Sequence, residues 1–272
     1  METSAKLDIR YRTFGGGGPK IVLLHGGLQT SRNFRRLAQA LASSFTVYVP
    51  DRRGRGLSGP VFAGYGLDGE VDDLRAVLDE TGAGYIFGLS SGAVIALQAA
   101  LELPQIRRLA LYEPPIWHDT TNPVAWRPRF EKELAAGRTA SAFVTTVKGA
   151  GGLRGVPRAA ITPLVRLGIR LDGRSNRPAD YTSLGRLVPT MSQDATVVEE
   201  AAGPLTRFAG VGAETLLLGG DRSPAYLKRV LTGLEGVLPQ VRRVTLHGVG
   251  HLAADDRGKP ELVAAELRKF FG

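Results

Sequence analysis

The order of apolar and polar residues along the chain predicts strands alternating with helices. Residues 6–14 alternate and read as an edge strand, closed by the glycine-rich turn at 15–19. Ile21-Val22-Leu23-Leu24 is an unbroken apolar run, the mark of a strand buried on both faces. Comparable runs at 45–49, 83–87 and 106–112 predict three more strands. Between them the spacing turns helical. Residues 32–43 place Phe34, Leu37, Ala38 and Leu41 on one face, and residues 67–78 place Val71, Leu74 and Leu78 in a stripe. Residues 91–103 form a third helix, rich in small and helix-favouring side chains. Such alternation implies a parallel sheet covered on both faces.

The rhythm breaks after residue 113. Residues 114–204 are rich in Pro, Gly and Arg, show no strand period, and carry helical spacing at 125–136 and 159–171. Alternation resumes with a strand at 215–218, a helix near 224–234, a strand at 241–246 and a last helix at 260–271. The pattern predicts an α/β protein with a mostly parallel sheet and helices on both faces. Core segments 1–113 and 205–272 flank a mostly helical cap insertion, 114–204.

Composition narrows the class without choosing a function. At 272 residues, 43% apolar and 22% charged, the chain can bury a large core. It has no cysteine, which excludes disulfides, thiolate metal sites and cysteine nucleophiles. Its four histidines suggest no metal constellation, and no cofactor is expected. The first residues carry no apolar segment of signal-peptide length, and no window approaches the roughly 20 apolar residues of a membrane span. A cytoplasmic protein without membrane contact is expected. The net charge of +9 raises nucleic-acid binding. The basic residues come singly or in pairs, however, with no aromatic ladder among them, which argues against it. The oligomeric state is left open.

Candidate chemistry sits at the ends of the predicted strands. Gly88-Leu89-Ser90-Ser91-Gly92 joins a strand to a helix as G-x-S-x-G, the nucleophile-elbow pattern. A serine in so tight a turn holds a strained backbone, so the residues two before and two after it must be small. Ser90 has glycine at both positions, whereas Ser91 has Leu89 and Ala93. Ser90 is therefore the candidate nucleophile. The Ser91 amide, at a helix N-terminus, is a candidate oxyanion donor. His25-Gly26-Gly27 follows the run at 21–24 and offers the Gly27 amide as a second donor, while the His25 side chain reads as structural. A nucleophilic serine needs a base and the base an orienting group. His251 lies in the loop Gly248-Val249-Gly250-His251 between the last strand and the last helix, and His247, at the strand end, reads as structural. Asp221 closes Leu216-Leu217-Leu218-Gly219-Gly220-Asp221, again just after a strand. Loops that follow parallel strands share one sheet edge, so Ser90, Asp221 and His251 can converge. Glu113, after the strand at 106–112, is the alternative acid.

Taken with Asp51-Arg52-Arg53-Gly54-Arg55-Gly56-Leu57-Ser58, these landmarks stand in an order that resembles the α/β-hydrolase fold superfamily, in its serine-nucleophile, cap-bearing branch. The resemblance runs from about residue 7 to residue 271. It implies that Ser90, Asp221 and His251 form a triad, that residues 51–58 are a structural loop, and that 114–204 is the cap. It also implies a serine esterase- or lactonase-like enzyme that cleaves an ester, lactone or thioester through an acyl-enzyme on Ser90. Two alternatives stay open. One is an acyltransferase or thioesterase acting on a group borne by an acyl carrier protein, for which the positive charge is the motive. The other is a non-catalytic ligand-binding protein on the same fold. A pocket for a small-molecule acyl substrate, between cap and core, is expected to draw on Trp117, His118, Trp126 and Met191, although the tryptophans can equally pack cap onto core.

Overall fold

The computed structural model describes residues 8–153, 155–174, 177–178 and 180–272. Among these, the strands are β1 (Tyr11–Phe14), β2 (Lys20–Leu24), β3 (Thr46–Pro50), β4 (Tyr85–Leu89), β5 (Arg108–Tyr112), β6 (Glu214–Gly220) and β7 (Val241–Leu246). They form one sheet in the order β1-β3-β2-β4-β5-β6-β7. β1 runs antiparallel to β3, and the other pairs are parallel. The edge strand expected at 6–14 is shorter, and residues 6 and 7 lie outside the described residues.

The unbroken apolar runs have a direct cause. Along a strand, successive side chains point to opposite faces. Val22, Leu24, Ile86, Leu109 and Leu217 pack on one face against α2 (Leu67–Thr81), α3 (Ser91–Glu102) and α9 (Ala225–Glu235). Ile21, Leu23, Phe87, Ala110 and Leu218 pack on the other against α1 (Arg35–Leu41) and α10 (Pro260–Phe271). A central strand between two helical layers has no wet face, so it has no polar alternation. The chain leaves β2 for β3 and returns past β2 to β4. This reversal separates the loops after β2 and β4 at a topological switch point, where open α/β sheets bind ligands.

Between β5 and β6 the described chain is helical: α4 (Arg127–Ala135), α5 (Thr139–Gly149), α6 (Arg158–Arg174), α7 (Leu184–Leu187) and α8 (Met191–Glu200). The spacing foresaw only α4 and α6. This segment has its own small core of Val124, Trp126, Phe130, Ala142, Val188, Met191, Ala195 and Val198. α8 also packs against α2 and α3, which ties the segment to the sheet. α6 buries no residue and leaves Leu164, Leu167 and Leu171 exposed. No helix among the described residues is long and apolar enough to cross a membrane.

The layering predicts opposite outcomes for two leucines. Leu23, wholly buried in β2, should cost roughly 2–5 kcal/mol when changed to Ala, because a cavity opens between packed layers. Leu164→Ala, on the exposed face of α6, should stay within about 0.5 kcal/mol. Urea denaturation of the two variants measures both.

Candidate active site

The bend at Ser90 is the sharpest local feature of the chain. Ser90 has φ 57° and ψ −125°, a conformation an L-residue adopts only when its surroundings force it. The neighbouring glycines make it possible. A Cβ on Gly88 would stand 2.5 Å from the Gly92 carbonyl oxygen, and one on Gly92 would stand 2.6 Å from the carbonyl oxygens of Leu24 and His25. Gly26 is equally constrained, since its Cβ would lie 2.9 Å from that of Ser90. The Ser90 amide donates to the Tyr112 carbonyl at 2.9 Å, while the amides of Ala93 and Val94 donate to the Ser90 carbonyl. The bend is thereby pinned to β5 on one side and opens α3 on the other.

The histidine and its acid come from other strand ends. His251 Nδ1 lies 2.8 Å from Glu113 Oε2, with Glu113 fully buried and His251 24% exposed. With Nδ1–H donating to the carboxylate, Nε2 is left as the nitrogen that can accept a proton. Glu113 itself has φ 49°. Its Oε1 accepts the Gly220 amide at 2.7 Å, so both carboxylate oxygens are engaged. The Tyr112 hydroxyl donates to the Gly250 carbonyl at 2.9 Å and steadies the loop before His251.

Asp221 does not occupy the place expected of it. Its Oδ1 accepts the Gly248 amide at 2.9 Å, and its Oδ2 lies 3.3 Å from Nδ1 of the exposed His247. The Gly248 amide first, then His247 and Arg222, hold its carboxyl below the usual range. The partner of His251 is the alternative acid, Glu113, and strand register explains why. Tyr112 of β5 pairs with Leu89 of β4 and with Leu218 of β6, so Glu113 is level with Ser90 and with Gly219. Asp221 lies two residues farther out, on the turn beside β7. Gly219, which seemed only to lead to Asp221, makes room for Glu113: a Cβ there would lie 3.0 Å from Glu113 Oε1.

Ser90, Ser91, His251 and Gly27 line one cavity of about 250 Å³ beneath the cap. Leu89, Pro115, Val124, Val147, Val198 and Leu252 make much of its wall. Trp126 and Met191 line it as expected; Trp126 also packs edge-on against Phe130 in the cap core. Trp117 and His118 stand elsewhere. Trp117 Nε1 donates to the Asp119 carbonyl, and His118 packs near Gly233 of α9. The loop after β5 thus turns His118 toward that helix. Two cavity residues carried no signal in the sequence. Tyr226 of α9 faces the cavity, and burial, with Glu113 nearby, pushes its hydroxyl up to about 12. Asp194 of α8 is the other.

The His25 side chain is wholly buried and joins two loops. Nδ1–H donates to the Gly26 carbonyl at 3.0 Å, and Nε2 accepts the Arg52 amide at 3.2 Å. Burial first, then the charges of Arg55 and Arg52, push its pKa well below the usual value. Residues 51–58 form a structural loop around Asp51, which accepts the amides of Ser31 and Leu57.

Comparisons with known proteins agree with the fold. Residues 21–266 match the model of the alpha/beta hydrolase family. An alpha/beta hydrolase from Sphaerobacter thermophilus is 33% identical, with a TM-score of 0.77 over 97% of this chain and 96% of that one. An enol-lactonase from Burkholderia xenovorans is 20% identical, with a TM-score of 0.67 over 96% of this chain and 95% of that one, and shares the fold. Among curated proteins, N-formylmaleamate deformylase of Pseudomonas putida is 35% identical over 111 residues, 39% of this chain and 41% of that protein. The uncharacterized hydrolase YraK of Bacillus subtilis is 36% identical over 104 residues, 36% of this chain and 38% of that protein. The chain thus spans less than half the length of these two curated relatives.

The buried neutral His25 predicts acid sensitivity. Its folded pKa lies below its unfolded value near 6.5, so below that pH the unfolded chain binds the extra proton. Stability contributed by this group is complete above pH 6.5 and falls as pH drops, approaching about 1.4 kcal/mol per pH unit. Urea midpoints at pH 7.5, 6.5 and 5.5 should decline more steeply for the natural protein than for His25→Gln.

Proposed function

The chain belongs to the alpha/beta hydrolase family, and we propose that it is a serine hydrolase that cleaves an ester, lactone or thioester of a neutral, largely apolar acyl group. The observation that carries this reading is the Glu113–His251 pair, 2.8 Å apart, at the strand end level with Ser90, with Ser90 and His251 on one cavity.

The steps follow from these positions. Nε2 of His251 takes the proton of Ser90 Oγ as Oγ attacks the acyl carbon. Glu113 holds the ring through Nδ1–H and stabilises the imidazolium. Negative charge gathers on the former carbonyl oxygen, which the amides of Gly27 and Ser91 bind. The Ser91 amide is in the first turn of α3, where N–H groups have no helical partner and the helix dipole favours an anion. The tetrahedral species collapses, the C–O or C–S bond of the substrate breaks, and His251 returns its proton to the leaving oxygen or sulfur. Water, deprotonated by His251, then attacks the Ser90 ester, releases the acid and restores the Ser90 hydroxyl.

The acyl preference rests on the wall. The described lining residues include neither lysine nor arginine, and the one carboxylate among them, Asp194, is already paired with Arg52 and Arg55, so this wall offers an anionic acyl chain no cation to pair with. The similarity to a deformylase supports adding an N-formyl amide to the substrate panel, since the same serine chemistry cleaves a C–N bond. A carrier-bound thioester belongs in the panel as the acyl-carrier alternative.

Ser90→Ala should lower turnover of a short-chain aryl ester by at least ~10³-fold and abolish labelling by a fluorophosphonate. Glu113→Gln should cost ~10²–10⁴-fold in kcat, whereas Asp221→Asn should stay within about twofold. Initial rates of the three variants test the assignment, and a neutral Glu113→Gln beside a crippled Asp221→Asn would reverse it. An uncharged butyrate ester should exceed the matching succinate half-ester in kcat/KM by about tenfold or more.

A further inference from the structure

A buried cluster of four charged side chains lies directly beneath the cavity. Asp194 enters it from the cap helix α8, Arg52 and Arg55 from the loop after β3, and Glu70 from α2. Their side chains are 0–5% exposed. Asp194 Oδ1 accepts from Ser91 Oγ at 2.6 Å and from Arg52 Nη1 at 2.9 Å; its Oδ2 accepts from Arg55 Nη2 at 2.7 Å. Arg52 also donates to Glu70 at 2.6 Å and to Ser91 Oγ at 3.1 Å. Arg55 Nη1 donates to the Gly26 carbonyl at 3.1 Å.

Three of these bonds bear on the proposed oxyanion donors. The Gly26 carbonyl and the Gly27 N–H belong to one peptide unit, which is planar and trans, so fixing the oxygen fixes the direction of the N–H. That oxygen accepts from both Arg55 and His25 Nδ1. On the other side, Ser91 Oγ donates to Asp194 and accepts from Arg52, at the residue whose own amide is the second donor. The polarisation of a peptide by donors on its oxygen also strengthens its N–H as a donor. Space is equally tight. A Cβ on Gly27 would lie 2.7 Å from Met191 Sδ and 3.1 Å from Asp194 Oδ2, so α8 rests on the loop it orients.

We propose that Asp194 is a positioning residue: through Arg55 it aims the 26–27 peptide, and through the Ser91 hydroxyl it aims the first turn of α3, so that the cap helix sets the geometry of the oxyanion site. The inference rests on the serine-hydrolase reading above. Arginine suits the role, because its planar fork holds Asp194 and a backbone carbonyl at once in a fixed relation. Burial alone would raise the Asp194 carboxyl, yet Arg55 and Arg52 hold it down to about 2, so Asp194 stays ionised across the working pH range. Movement of α8 away from the sheet would expose two arginines with one carboxylate between them, so this side of the cap acts as a fixed wall.

The test uses the full chain. Asp194→Asn keeps the shape but leaves Arg55 facing an amide, and Ser91→Ala removes only the hydroxyl. With rates normalised to fluorophosphonate-titrated sites, kcat should fall about 10–100-fold for Asp194→Asn and about 3–10-fold for Ser91→Ala, with KM within about threefold. The Ki of a trifluoromethyl-ketone analogue, which needs the oxyanion site, should rise by the same factors. Binding of intact ester to each variant in a Ser90→Ala background should not change. If titrated sites turn over at the natural rate and bind the ketone as before, the cluster only supports the fold and the inference is overturned. Should Asp194→Asn fail to fold, Ser91→Ala decides alone. Turnover surviving in Ser90→Ala would instead remove the underlying hydrolase reading.

Discussion

A serine held at φ 57° requires that no side chain crowd it, and the centre of this molecule is arranged around that demand. Gly88 and Gly92 let β4 pass straight into α3, and Gly26 lets the loop after β2 come up against Ser90. The hydrogen bond from Ser90 to Tyr112 then ties the bend to β5. The same strand delivers Glu113 level with Ser90, and Tyr112 anchors the loop that carries His251. Glu113 also has a positive φ, so the acid and the serine both sit on strained backbone at adjacent strand ends. Strain of about 1–3 kcal/mol at such residues is affordable only because the two-sided core holds the strands rigidly.

The charged cluster under the site obeys a different logic. Removing one partner from a buried ion pair costs roughly 3–5 kcal/mol, yet replacing the whole set by apolar residues is often neutral. Stability therefore does not explain why two arginines and two carboxylates lie within the core. Their contacts with Ser91, His25 and Gly26 do, because these bonds aim backbone groups that apolar side chains cannot aim. The cluster also joins the cap to the sheet through directional bonds, while the opposite side of the cap, at α6, buries nothing.

Much of this was legible along the chain. The alternation of elements, the layered α/β fold and the limits of β7 and α10 follow from periodicity, because burial on one or two faces is written into neighbouring residues. The glycine spacing singled out Ser90 over Ser91 for a steric reason that the coordinates reproduce. Other features were not legible. Asp221 and Glu113 both follow apolar strands, and nothing local separates them. Trp117 and Trp126 look alike in sequence, but one bonds the Asp119 carbonyl within its own loop and the other lines the cavity. Asp194 gave no signal at all: it is one of several polar residues in α8, more than a hundred residues from Ser91.

The sequence by itself determined the architecture and the serine, since both depend on short-range rules: the period of burial and the clearance around one bend. Tertiary structure decided which carboxylate serves His251, which aromatic residues wall the cavity and which charges lie beneath it. These are matters of strand register and of loops meeting at one sheet edge. A shift of two residues between β5 and the turn after β6 separates an acid bonded to the histidine from one bonded to the surface turn.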